Sequence, residues 1–250
     1  MFHTCAFSGS FTAAVGLANA TLVADSYLTP TSAGQAIMPV NMKLKAAMGQ
    51  GATITRMVIR APSQRKVIEP DIAPLEGSAT MTDIPNLVRF VDNHAPMFLA
   101  GEGVIPQLAE SAAGPETDNA FLWLEPVYEE PGIGSQYCFR FTGAITGVAN
   151  AWASGAMTPV DVIPTGTYDV IGMFAFGTNL GIGRLIPQAN IGRPGVVAAN
   201  TLTSNPWDYW RAGRFGKFMS FNNLSVPLLE IFALGANTAQ IIILDVIKTS

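Results

Sequence analysis

The chain has 250 residues, a length that fits one large β domain or two smaller ones. Charged residues make up 13% and hydrophobic residues 49%, so the charged share is about half of that in an average soluble domain. The net charge of −4 at pH 7, with no block of lysines or arginines, argues against direct packaging of nucleic acid by this chain.

The low charge also bears on assembly. A soluble monomer normally keeps its surface charged and its apolar patches small. We therefore expect copies of the chain to cover much of one another's surface. The alternative is a monomer whose surface is made of serine, threonine, asparagine and glycine.

The N-terminal stretch, residues 1–27, is predicted to be an extended arm or a first strand. It carries Phe2, Phe7 and Phe11 and few charges. It has no basic segment of the kind that opens a secretory signal. No run of 18 apolar residues occurs in the sequence, so no membrane-spanning helix is predicted.

Strands dominate the predicted secondary structure. The 24 glycines and 17 prolines are scattered at a spacing typical of short strands and turns. Between these breaks, apolar, β-branched and aromatic residues predict strands. The predicted strands are 53–60, 121–124, 137–142, 168–174 and 241–247.

Two short helices are also predicted. Residues 83–91 open with a capping aspartate and an early proline, and residues 205–211 open with a capping asparagine and a proline. Gly213 is a suitable residue to end the second helix.

The order of these features is the same in both halves of the chain. Turns at 49–51 and 177–181 lead into strands that carry Arg56 and Arg184. This order predicts the duplication of a unit of about 120 residues.

Each half is predicted to close with a hairpin, formed by 108–110 with 121–125 and by 229–231 with 241–245. The stretch 129–134 is charged and then rich in proline and glycine, as a linker is. The predicted domains are therefore 1–131, which includes the N-terminal arm, and 132–250.

An eight-stranded antiparallel sandwich occupies about 120 residues. Two such sandwiches in tandem, each with a short helix late in the unit, resemble the double jelly-roll major capsid proteins of tailless icosahedral viruses, including lipid-containing bacteriophages. The segments 163–172, 183–186 and 193–195 are also similar to phage-type capsid sequence. The predicted fold is thus all-β, with two tandem jelly-roll β-sandwiches and a few short helices.

The resemblance implies a structural role in the capsid shell of a virion that is assembled in the host cytoplasm. It implies that three copies form a pseudo-hexagonal capsomer and that neighbouring capsomers are the next partners. Minor capsid proteins and an inner viral membrane are further candidate partners. The alternative is a β-sandwich carbohydrate-binding or adhesion module, which would bind glycans through Trp152, Trp207 or Trp210.

The candidate site is an aromatic and basic cluster. Trp, Tyr and Arg dominate interaction hot spots, so the cluster is a candidate subunit interface. It could also meet lipid headgroups, where amphipathic rings settle, or it could seal the end of its own sandwich. The cluster consists of Trp207, Tyr209, Trp210, Arg211 and Arg214.

No catalytic residue, metal site or cofactor is predicted. His3 and His94 lie far apart, and neither has a ligand partner at metal-binding spacing. Cys5 and Cys138 are expected to be free buried thiols, although a bridge between them stays open. Residues 116–119 are interpreted as a hairpin loop rather than a Ca²⁺ site.

The third alternative is a β-sandwich glycosidase, whose chemistry needs two carboxylates. Most candidates lie in predicted turns or in the linker, where solvation explains them, so the chain is expected not to be an enzyme. The candidate carboxylates are Glu102, Glu110, Glu116, Asp118, Glu125, Glu129 and Glu130.

Overall fold

The computed structural model describes residues 2–64, 69–82, 85–90, 95–111, 114–187, 192–202, 210–211 and 213–250. The named elements in these ranges are all β-strands, which confirms the all-β class. Within the same ranges, no helix is long and apolar enough to cross a membrane.

The chain divides into two compact units. The first unit consists of Cys5–Ala79 and Asn86–Pro126, and the second consists of Met1–Thr4, Thr80–Pro85 and Val127–Ser250. The boundary between residues 131 and 132 stays a prediction.

Twelve strands span the first half of the chain, and the first two residues of β1 are counted with the second unit. The strands are β1 (His3–Phe11), β2 (Val15–Asn19), β3 (Thr21–Leu22), β4 (Thr29–Pro30), β5 (Ala36–Ile37), β6 (Met42–Gln50), β7 (Ile54–Arg60), β8 (Asp71–Ile72), β9 (Val88–Arg89), β10 (Met97–Phe98), β11 (Gly103–Glu110) and β12 (Glu116–Glu125). They form two sheets, β10–β6–β12–β1–β3 with β9 also on β6, and β4–β5–β11–β7–β8 with β2 also on β11.

Nine strands build the second unit. They are β13 (Ser135–Gly143), β14 (Ala151–Gly155), β15 (Met157–Pro159), β16 (Thr167–Phe176), β17 (Leu180–Ile186), β18 (Gly195–Val197), β19 (Met219–Asn222), β20 (Leu228–Ala233) and β21 (Gln240–Lys248). They form the sheets β15–β13–β21–β16–β19 and β14–β20–β17–β18. All five strands predicted from the sequence are confirmed.

Both units have the same strand topology. In the second unit the eight main strands, numbered along the chain, lie in the orders 1-8-3-6 and 2-7-4-5. The first unit has these orders too, with β1, β2, β6, β7, β8, β10, β11 and β12 as its eight main strands. Two sheets connected in this way form a jelly roll, so the predicted tandem jelly rolls are confirmed.

The predicted closing hairpins are wrong. β11 pairs with β7 and β2, whereas β12 pairs with β6, so consecutive strands lie in opposite sheets. β20 and β21 separate in the same manner. In a jelly roll, consecutive strands pass from one sheet to the facing sheet, and both strands still present an apolar face to the shared core.

The first predicted helix is also wrong where the structure describes it. Val88 and Arg89 form β9, which pairs with Ala46 and Ala47 of β6. The exposed edge of β6 offers a ladder of unpaired backbone groups, and filling it outweighs a weak helix propensity. Residues 83–84 and 91 lie outside the described residues, as does most of the second predicted helix, 205–211.

Two further expectations change. Residues 116–119 are not a hairpin loop, because they open β12, where Asp118 and Asn119 are buried. The N-terminal stretch contains β1, so the first-strand alternative holds there. Cys5 and Cys138 are not joined in a disulfide, and Cys138 is exposed rather than buried.

Each unit encloses its own hydrophobic core. In the first unit, Phe7, Leu44, Met57, Leu108 and Leu122 are among the buried side chains that pack between the two sheets. In the second unit the inward faces of β16, β17 and β21 are fully or almost fully buried over most of their length.

Candidate interaction surface

Trp210 of the predicted aromatic and basic cluster lies inside the second unit. Its side chain is 1% exposed, and its ring stacks on Phe215 with a centroid distance of 4.8 Å. Phe215 in turn lies 5.1 Å from Phe2, which meets Phe218 edge to face at 4.7 Å. The four rings form one buried aromatic row, so Trp210 contributes to the core of its own unit.

Arg211 forms a bidentate ion pair with Asp245 of β21. Its Nε and Nη2 donate to the two carboxylate oxygens of Asp245 at 2.5 Å. The guanidinium carbon lies 4.7 Å from the centre of the Phe174 ring. The hydrogen bond to Asp245 raises the pKa of Arg211, and the guanidinium therefore stays charged.

Gly172 explains how the chain around Arg211 reaches this position. β16 has an irregular register between Val170 and Gly172. A Cβ atom at Gly172 would lie 2.8 Å from the Cα of Arg211, so a side chain there would block the approach. Gly213 then donates its backbone N–H to the carbonyl of Ile171 at 2.8 Å.

The remaining residues of the cluster are divided. Arg214 is exposed, and its backbone N–H donates to the carbonyl of Arg211 at 3.4 Å. Trp207 and Tyr209 lie outside the described residues. The role of Arg211 and Arg214 in a subunit interface stays a prediction.

Exposed aliphatic side chains mark one end of the second unit. Ile133, Val162 and Leu224 are 100%, 93% and 89% exposed. Ile133 precedes β13, Val162 lies in the connection before β16, and Leu224 lies in the turn after β19. The start of β16 pairs with the end of β19, through Thr167 and Asn222, so the last two connections lie at the same end.

The first unit repeats this arrangement. Val40 and Leu99, which are 43% and 49% exposed, lie in the connection before β6 and in the turn after β10. The start of β6 pairs with the end of β10, through Met42 and Phe98. The corresponding end of each jelly roll therefore carries exposed aliphatic residues.

Leu99 and Leu224 occupy matching turns, and a side chain of the same turn accepts a hydrogen bond from the backbone N–H of each leucine. The backbone N–H of Leu99 donates to Glu102 Oε1 at 2.6 Å, and that of Leu224 donates to Asn222 Oδ1 at 3.0 Å. Sequence reasoning missed both residues because a lone leucine in a turn creates no periodic pattern. The available signal was a large aliphatic residue within two positions of a turn-forming residue, Gly101 for Leu99 and Asn223 for Leu224.

The ring of Trp152, a candidate for glycan binding, contacts two other side chains of the second unit. Its ring meets Phe232 edge to face at 5.3 Å, and the guanidinium carbon of Arg184 lies 3.6 Å from its centre. Trp123 and Trp210 are buried. Trp152 is half-buried, with Arg184 against one face of its ring.

Several of the candidate carboxylates are buried or occupied in strands and turns. Glu125 pairs with Lys45 at 3.3 Å, with both side chains almost fully buried. Glu102 accepts from the hydroxyl of Ser63 at 2.7 Å and from its N–H at 3.0 Å. Among the residues that the structure describes, no three His, Cys, Asp or Glu side chains are grouped so that they could hold a metal ion.

No known family model matches the chain, and no curated protein matches it in sequence. Among solved structures, the chain is similar to the major capsid protein P2 of bacteriophage PM2, at 9% sequence identity and a TM-score of 0.22, over 100% of this chain and 98% of that chain. A likeness at this level carries no argument about function. The fold assignment rests on the strand order of the two units.

Proposed function

We propose that this chain is a non-enzymatic structural subunit, the major capsid protein of an icosahedral virion. Three copies would form a pseudo-hexagonal capsomer, and capsomers would then assemble into the shell in the host cytoplasm. Jelly rolls occur in viral capsid and lectin domains, and the tandem pair supports the first of these two uses.

The observation that carries the proposal is the exposed aliphatic end that both units share. Leu99 and Leu224 lie in matching turns of the two jelly rolls and are held there by side-chain hydrogen bonds. A chain in which only 13% of residues are charged gains by covering such residues with further copies of itself. Symmetry then multiplies each modest contact over the whole assembly.

The surface composition supports association in a second way. Packing neighbours side by side desolvates whatever lies between them, and each unpaired charge that is buried adds a penalty. Interface centres are accordingly depleted of charged residues. A chain with few charged residues pays little of this penalty wherever two copies meet.

The carbohydrate-binding alternative finds no support in the tryptophans that the structure describes. Trp152 is half-buried with Arg184 against one face of its ring, and Trp210 is stacked on Phe215 inside the second unit. The other tryptophan proposed for this role, Trp207, lies outside the described residues.

The experiment measures the oligomeric state of the full chain by size-exclusion chromatography with light scattering. We expect a trimer or a larger assembly. Leu99→Asp and Leu224→Asp should move the equilibrium toward monomer by tenfold or more, because association would desolvate the new carboxylate.

Val148→Asp is the matched control. Val148 is 65% exposed, and it follows β13, whereas Ile133 precedes that strand, so it lies at the other end of the second unit. We expect this variant to associate as the unsubstituted chain does. A chain that stays strictly monomeric at high concentration contradicts the proposed function.

A further inference from the structure

Asp118 in β12 is a buried carboxyl group without a hydrogen-bond partner. The residue is fully buried, and neither of its carboxylate oxygens has a partner. It lies directly against Gly51, where an added Cβ atom would come within 1.8 Å of Asp118 Oδ1. A carboxylate in this position lacks the donors that normally compensate a buried charge.

A second buried carboxyl group, that of Glu110, acts electrostatically on Asp118. Glu110 of β11 is 3% exposed; its Oε1 accepts from the Thr53 hydroxyl at 3.0 Å, and its Oε2 has no partner. Glu116, on the same strand as Asp118, also adds negative charge. On the β6 side, Gln50 and Gly51 are uncharged. The buried Glu76 accepts the Gly51 N–H with its backbone carbonyl at 3.0 Å, and its Oε2 accepts from the Asn86 N–H at 2.9 Å.

In the second jelly roll, the positions equivalent to Asp118 and Gly51 are occupied by uncharged residues. Asn119 pairs with Gln50 across β12 and β6, and Ile241 pairs with Phe176 across β21 and β16. One residue before Asn119 in β12 is Asp118, and one residue before Ile241 in β21 is Gln240, so these two residues are equivalent. Gly51 likewise corresponds to Gly177.

Gln240 is fully satisfied where Asp118 is not. Its side-chain oxygen accepts from the N–H of Ile145 at 2.9 Å, and its Nε2 donates to the carbonyl of Ile145 at 2.7 Å and to Asn237 Oδ1. Glu110, paired with Ile54, corresponds to Ala233, paired with Leu180. The second unit therefore has a neutral amide and a methyl group where the first unit has two carboxyl groups.

We propose that Asp118 is a proton-binding site that makes the stability of this end of the first unit depend on pH. With its proton, the carboxyl group is neutral and tolerates its place against Gly51. When the proton leaves to solvent, the buried carboxylate faces Glu110 and Glu116, and the start of β12 separates more readily from the turn that joins β6 and β7.

The direction of the effect follows from the electrostatics. Burial first, and then the charges of Glu110 and Glu116, raise the pKa of Asp118 from the usual 3.8 to about 7. The folded state therefore binds this proton more tightly than the unfolded state does. The stabilising contribution is complete below about pH 4, is lost as the pH rises through 7, and is constant above that.

The experiment compares hydrogen exchange in the full chain and in the Asp118→Asn variant between pH 5 and pH 8.5. The ratio of the two exchange rates cancels the intrinsic pH dependence of exchange. In peptides from β12, the ratio of unsubstituted chain to variant should rise by up to about tenfold per pH unit until pH 7 and then level off. Peptides from β21 should show no such rise.

Asp161→Asn is the matched control, since Asp161 is exposed in the connection before β16. We expect its exchange to follow that of the unsubstituted chain at every pH. A flat ratio for Asp118→Asn in β12, or an equal rise for β12 and β21, overturns the proposal.

A second measurement does not require any variant to fold. The carboxyl carbon of Asp118 in the unsubstituted chain can be titrated by NMR. A midpoint near pH 7 supports the proposal, and a midpoint below pH 5 overturns it. In Glu110→Gln the midpoint should move toward lower pH, because one of the two neighbouring charges is removed.

Discussion

Arg184 of β17 and Glu230 of β20 face each other inside the second unit, with Arg184 Nε donating to Glu230 Oε2 at 2.6 Å. Arg184 is fully buried, and its Nη1 also donates to the carbonyl of Thr4 at 2.5 Å. Arg193 donates to the same carboxylate, at 2.6 Å from Oε1. The two arginines thus share the carboxylate of Glu230.

This arrangement predicts that Glu230→Ala destabilises the second unit by about 3–5 kcal/mol, because the loss of one partner leaves buried charge uncompensated. Urea unfolding at constant protein concentration measures the change. The control is Asp71→Ala, which removes the partner of Arg56 in an exposed pair with an N–O distance of 2.7 Å. That variant should lose less than about 1 kcal/mol. Equal losses would show that the Glu230 site is not electrostatically special.

Trp210→Ala should lower the free energy of unfolding by about 3–5 kcal/mol, since the ring is buried against Phe215. The loss should appear at protein concentrations where copies of the chain do not associate. Leu224→Ala serves as the control, because this side chain is 89% exposed and its removal creates no cavity. If Trp210→Ala reduces association and leaves unfolding unchanged, the ring is an interface anchor instead.

Gly51→Ala should destabilise the first unit by about 1–3 kcal/mol, because the new methyl group would displace the Asp118 carboxyl group. Thermal unfolding measures the effect. Gly77→Ala is the matched control, since a Cβ atom there meets nothing within 4 Å. In an Asp118→Ala background the cost of Gly51→Ala should largely disappear, and a cost that persists would place the clash elsewhere.

Cys138 should react slowly with alkylating reagents at pH 8, although it is exposed. Partial burial of the thiol, and then the charge of Asp245, raise its pKa, so less of the reactive thiolate is present. Labelling followed by mass spectrometry measures the rate, with unfolded chain as the reference. Asp245→Asn should speed the reaction, and labelling of folded Cys138 as fast as in the unfolded chain would contradict the prediction.

Much of the fold follows from local patterns in the sequence. The alternation and β-branched content of β7, β13 and β21 identify them as strands, because a strand exposes alternate residues to its two faces whatever its neighbours are. The repeated order of strands and turns also indicates two units, since each unit must bury its own core.

Other features depended on contacts between residues far apart in the chain. Local pattern could not assign β11 and β12 to opposite sheets, because both sheets offer the same apolar surface. Nor could it separate Arg56, in an exposed pair, from Arg184, which is fully buried against Glu230. The tertiary fold alone determines which face of a strand meets the core.

The sequence by itself therefore determined the class of the fold, its duplication and its low surface charge, since composition and periodicity are local properties. Only the tertiary structure decided that Trp210 is covered, that Leu224 is exposed and that Asp118 is buried against Gly51. The physical reason is that burial depends on which strands pair and pack, and those partners are distant in sequence.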